Sequence, residues 1–225
     1  MFEVTLGSLL GMRHALEPDH LAAVSTLVSE ERSGWKAAFL GVCWGLGHTF
    51  SLVIVGLALV VLRAEMPRAM ADVFELLVAV MLIGLGLRAI YLAARRGAEG
   101  PARVHHHRGI VHSHAAAQPH VHIGRWTLAR RPLTVGAIHG LAGSGALTAL
   151  VLTTLPTAAS RIAYIALFGL GSTVGMAALS GLLGWPLARA GAHRSVARAV
   201  SFAIGALSTA LGVAWGYPLV VRMFA

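Results

Sequence analysis

The sequence predicts an all-α integral membrane protein with six transmembrane helices, arranged as two inverted three-helix repeats. Three observations carry that expectation. Six long apolar blocks follow one another, each with about the 20 or more residues that cross a bilayer. Charged residues make up 12% of the chain, about half the share of a soluble domain, and they gather between the blocks. Short motifs of the first half recur in order in the second. Membrane-barrel strands would alternate apolar and polar residues, and these blocks do not, which leaves helices as the spans.

Block one runs from about Val4 to Val28 and ends in the polar turn Ser29-Glu30-Glu31-Arg32-Ser33-Gly34. It lacks a basic leader and contains ionisable residues, so it reads as a first span and not as a cleaved signal. Block two covers about Trp35–Leu62, and block three about Met70–Ala94 after the turn Arg63–Arg68. A polar, His-rich connection fills 95–131 and is expected to be disordered. Blocks four to six cover about Pro132–Leu155, Arg161–Ala188 and Val196–Val221. At 1.5 Å rise per residue each block matches an apolar core of roughly 30 Å. The domains are therefore 1–94, the connection 95–131, and 132–225. The single cysteine, Cys43, excludes an internal disulfide.

The halves resemble one another. Arg13-His14-Ala15-Leu16 matches Ile138-His139-Gly140-Leu141 at a spacing of 125 residues. Gly45-Leu46-Gly47-His48-Thr49 matches Gly169-Leu170-Gly171-Ser172-Thr173 at 124, and Leu85-Gly86 matches Leu211-Gly212 at 126. A repeat of three helices crosses the membrane an odd number of times, so its second copy is inverted. Inverted repeats with a site at their interface are a recurring transporter design.

Formal net charge is +9. The basic residues sit in connecting loops, so they read as orientation signals and not as a nucleic-acid surface. Twelve lie on the side of the central connection and four on the other, which puts the connection in the cytoplasm and both termini outside. Without the connection the count is five against four.

Candidate chemistry centres on His14-Ala15-Leu16-Glu17-Pro18-Asp19-His20. Ionisable groups inside a span are expensive and usually functional. On a regular helix Asp19 would lie about 140° and His20 about 240° around from His14, so the three would not share a face. Pro18 removes an N–H and clashes with the carbonyl of residue 14. An opened turn would let His14, Asp19 and His20 meet, and would free that carbonyl as a further donor. Imidazole with carboxylate or carbonyl suits Ni²⁺, Co²⁺ or Zn²⁺. The structural alternatives are a water-exposed helix end and a buried ion pair with Arg13.

His48, mid-block among Gly41, Gly45 and Gly47, is a further metal ligand candidate or an interhelical hydrogen-bond partner. His139 occupies the place of His14 in the second copy and is a fifth candidate. The glycine-rich run Gly140–Gly145 after it predicts a helix either unwound or tightly packed there. The second copy lacks counterparts of Asp19 and His20, so the first half is expected to bind and the second to shape and gate. The connection carries His105, His106, His107, His112, His114, His120 and His122, read as a metal-buffering or sensing loop. Asp72, Glu75 and Arg88 read as interface residues.

At these residues the chain resembles the nickel/cobalt transporter superfamily, particularly its short urease-accessory (UreH-like) nickel permeases. The motif of His, four residues and Asp-His stands here as His14 to Asp19-His20. Leu46-Gly47-His48-Thr49 is similar to a second family motif, and Val135–Gly145 to a block of the short members' second half. The resemblance implies a multi-pass inner-membrane carrier of Ni²⁺ or Co²⁺ as transported substrate, with no cofactor, no catalytic residues and no ATPase motif. Expected partners are the metal ion, the lipid bilayer and a cytosolic metallochaperone, with no nucleic acid. Classical uptake members have eight helices and Asp-Ala in place of Glu17-Pro18. Efflux members resemble Leu16-Glu17-Pro18 and carry a His-rich loop, but lack the Asp19 equivalent. The alternatives are thus a metal efflux protein of the same superfamily, an exporter of another solute, and a membrane metalloenzyme.

Overall fold

The computed structural model describes residues 2–29, 31, 33–62, 64, 66–95, 104–107, 110–113, 120–123, 126–190 and 194–224. The described residues form seven helices and four short strands. The helices are α1 (Phe2–His14), α2 (Pro18–Val28), α3 (Gly34–Leu62), α4 (Arg68–Arg95), α5 (Arg130–Thr154), α6 (Ala158–Ala190) and α7 (Arg194–Phe224). Among the described residues, four stretches are long and apolar enough to cross a membrane: Gly34–Leu62, Arg68–Arg95, Ala158–Leu187 and Ser195–Phe224.

The seventh helix arises because the first apolar block is two helices. Glu17 precedes a proline, which disfavours helical backbone there; it sits extended, with φ −64° and ψ 149°. Pro18 then opens α2 at the position where its missing N–H costs nothing. Between the helices the Leu16 and Glu17 N–H groups donate to the carbonyls of Arg13 and His14, at 2.9 and 3.0 Å. The His14 carbonyl, expected to be freed, therefore already accepts one hydrogen bond. Neither α1, with 13 residues, nor α2, with 11, reaches across about 30 Å alone.

Within the connection, β1 (Val104–His107) pairs antiparallel with β2 (Ile110–Ser113), and β3 (His120–Ile123) with β4 (Trp126–Ala129). This regular backbone pairing lies in a segment expected to have none. His114, Glu99, Arg96, Arg103, Arg108 and Arg125 of the connection lie outside the described residues, as do Glu30, Arg32, Arg63 and Glu65 of the turns.

Glycines set how the helices approach. A Cβ on Gly136 would run into the Trp44 carbonyl, and one on Gly11 into the Phe168 carbonyl, so α5 lies hard against α3 and α1 against α6. Both pairs run parallel: Gly7 and Gly11 face Tyr164 and Phe168, and Gly136 and Gly140 face Trp44 and His48. The pairs α3–α6 and α4–α7 run antiparallel, with Gly41, Gly45 and Gly56 facing Ser180, Thr173 and Ile165. Small residues at such contacts let backbones close, as helices in lipid require.

Polarity is distributed inside out. Phe50, Val61, Leu170, Leu182 and Leu207 are more than half exposed, whereas His20, His48, His139, Ser172, Ser180 and Ser208 are buried. An apolar exterior on this scale suits lipid and not water.

Candidate metal centre

The break between α1 and α2 is what aims the first motif. His14 ends α1, while Asp19 and His20 occupy the first turn of α2. The extended Glu17 reverses the relation a continuous helix would impose, and the His14 and His20 rings meet edge to face with centroids 4.5 Å apart. From α3, His48 places its Nε2 3.3 Å from His14 Nε2. From α5, His139 places its Nε2 3.5 Å from Asp19 Oδ2, and its ring lies 4.6 Å from that of His20. Asp19 Oδ1 is 3.1 Å from His20 Nδ1. All five residues singled out from the sequence, His14, Asp19, His20, His48 and His139, thus converge from four helices.

The donor atoms fall into two groups. In His14, His20 and His48, and in Asp19, His20 and His139, one atom from each residue lies within 4.8 Å of the other two. His20, His48 and His139 are at most 2% exposed. His20 Nε2, His48 Nδ1 and both nitrogens of His139 lack a hydrogen-bond partner. Buried polar atoms are ordinarily paired, and orphans call for an explanation. Imidazole nitrogens gathered around a carboxylate can accept a transition-metal cation, which would answer several at once.

Three further residues were not singled out from the sequence. Glu17 Oε1 is 2.9 Å from His14 Nδ1, turning that ring so that Nε2 points inward. Trp44 lies against both His20 and His139, with centroids 5.3 and 5.6 Å away, and Phe168 lies 5.3 Å from His14. Trp44 precedes His48 by four residues within α3, which is same-face spacing. Gly143 leaves room beside the cluster: a Cβ there would sit 3.5 Å from His14 Nε2 and 3.9 Å from His48 Nε2.

Several alternatives find other geometry. Arg13 is exposed, and Asp19 faces His20 and His139, so the buried ion pair with Arg13 is not the arrangement. The glycine-rich run of α5 is tightly packed and not unwound, because α5 continues as helix from Arg130 to Thr154 with Gly140 against the His48 carbonyl. Asp72 is 3.4 Å from Arg222. Glu75 lines a cavity of about 290 Å³ with Leu211, Trp215 and Arg222, sharing no residue with the imidazole cluster.

A family model described as NicO, high-affinity nickel-transport protein, matches residues 1–223. The chain is 32% identical over 216 residues to the urease accessory protein UreH of Bacillus sp. (strain TB-90), covering 96% of this chain and 91% of that one. No solved structure matches.

Proposed function

This chain belongs to the NicO family of high-affinity nickel-transport proteins, and we propose that it carries Ni²⁺, and Co²⁺ as a related substrate, through a site at the broken first span. It is a membrane transporter and not an enzyme. The observation that carries the site assignment is the convergence of His14, Asp19, His20, His48 and His139 in a buried cluster.

The chemistry follows from the donors. A hydrated divalent ion entering an apolar span must exchange water for other ligands. Four imidazoles supply neutral nitrogen, and Asp19 supplies negative charge where an uncompensated dication would be expensive. Glu17 holds His14 by its Nδ1, the carboxylate–imidazole relay that fixes a metal-binding ring.

Six crossings in two inverted repeats are the architecture that suits this role. Thr49 and Thr173, counterparts at the 124-residue spacing, place their hydroxyls 2.9 Å apart. Ser208 donates to the carbonyl of Leu82, its counterpart at 126. Residues that touch their own counterparts support the two-fold reading of the halves. Other contacts come in swapped pairs: Gly11 against Phe168 with Gly136 against Trp44, and Gly86 against Gly205 with Gly212 against Ala79. His14 and His139, counterparts at 125, both belong to the cluster, so the ion sits where the halves meet. Rocking of one half on the other would open the site to each side in turn. The chain would lie in the inner membrane with the His-rich connection in the cytoplasm, where a metallochaperone could exchange the ion.

The test is radiolabelled Ni²⁺ flux in oriented vesicles, with Co²⁺ and Zn²⁺ as competitors. His14→Ala and Asp19→Ala are expected to abolish flux while the protein still inserts. Wild-type flux in both variants would overturn the site.

A further inference from the structure

We infer that the cluster is not one coordination site but two successive positions for a single ion, sharing His20. This rests on the metal-site reading above and deepens it. The two donor groups have only His20 in common. Its Nδ1 faces Asp19 at 3.1 Å, while its Nε2 is buried without a partner. One position is all imidazole: His14 and His48 with their Nε2 atoms 3.3 Å apart, plus His20. The other is mixed: Asp19 and His139 with oxygen and nitrogen 3.5 Å apart, plus His20.

Metal–ligand geometry separates them. At about 2.1 Å from each donor, one ion spans donors no more than about 4.2 Å apart. Each trio, within 4.8 Å, comes close to that limit with small rotations. Two dications side by side would gather four positive charges near Asp19 and Glu17 inside an apolar span, a heavy desolvation cost, so one ion occupies the positions in turn. Moving between them, it trades His14 and His48 for Asp19 and His139 around one ring. The carboxylate position holds the cation more tightly and the all-imidazole position releases it more readily. Transport needs both, since binding must be favourable enough to enter and weak enough to leave. The positions also draw on different halves: among the described residues of the two groups, His139 alone comes from the second half, and it serves only the mixed one.

The experiment is Ni²⁺ titration calorimetry on the purified full-length chain, in a background with the seven connection histidines changed to Gln. His48→Ala and His139→Ala are each expected to keep one equivalent of bound Ni²⁺, and the two together to lose it. Adding His14→Ala to His48→Ala, or Asp19→Asn to His139→Ala, should change the remaining Kd by no more than about twofold, as for residues of separate sites. If each added change costs as much as it does alone, the donors form one merged site and the inference fails, while the metal-site reading stands. If His14→Ala and Asp19→Asn, singly and together, leave Ni²⁺ binding unchanged, the metal-site reading itself fails. X-ray absorption on the unmutated cluster provides a measurement that does not depend on variants folding. Two to three imidazoles per Ni²⁺ are expected, and a fixed shell of four would overturn the two positions.

Discussion

At the scale of single residues, the sequence showed which side chains were out of place but not how they were held. His14, Asp19, His20, His48 and His139 were legible because ionisable groups in apolar blocks are conspicuous. Glu17, Trp44 and Phe168 were not. Glu17 sat inside the same motif, but its partner depends on a turn whose path no helical wheel gives. Trp44 reads as ordinary packing until His20 and His139 arrive from two other helices. The structure makes Glu17 a positioning residue, because its carboxylate lies 2.9 Å from His14 Nδ1 and leaves the opposite nitrogen facing His48. In the His139→Ala background, where only the position that uses His14 remains, Glu17→Gln should weaken Ni²⁺ affinity roughly 10- to 100-fold, as loss of an outer partner of a metal-binding imidazole does. Calorimetry on the connection-substituted background reads that effect. An unchanged Kd would mean that the α1–α2 turn alone fixes the ring.

At the scale of elements, the break in the first span was legible from Pro18. Its stereochemistry acts locally, and no tertiary contact overrides it. The state of α5 was not legible. Gly136, Gly140 and Gly143 can mean either a weak helix or a close neighbour, and only the position of α3 decides between them. Gly136 and Gly140 admit the Trp44 and His48 backbone, so their lost propensity is offset by packing. The break itself can be tested. Pro18→Ala restores an N–H to the turn and lets α1 continue toward α2, which would carry His20 away from His14. Ni²⁺ affinity should fall about tenfold or more, the scale of misplacing a support of a metal site, while membrane insertion persists. Wild-type binding by this variant would show that packing of α2 suffices to hold the break.

At the scale of the whole molecule, hydropathy showed six apolar blocks, and the seventh helix among the described residues comes from the Pro18 break inside the first of them. The pairing of the halves was partly legible. The spacings of 124 to 126 residues suggest a repeat, but they do not give the packing of α1 on α6 and of α5 on α3. The basic residues predict the orientation, and reporter fusions check it. Alkaline phosphatase fused after Ala225 should be active, since the C-terminus is expected outside, whereas a fusion within 96–103 should be silent. The reverse pattern would turn the molecule over in the membrane.

The contact between Thr49 and Thr173 has an evolutionary consequence. On the proposed inverted repeat, Thr49 and Thr173 are two copies of one residue, and their meeting at 2.9 Å is the geometry of a homodimer whose identical half-length chains inserted in opposite directions. Such an ancestor needed no covalent link between its halves. Residues 1–95 and 126–225, produced as separate chains in one cell, should therefore co-purify and restore Ni²⁺ flux, and either chain alone should not.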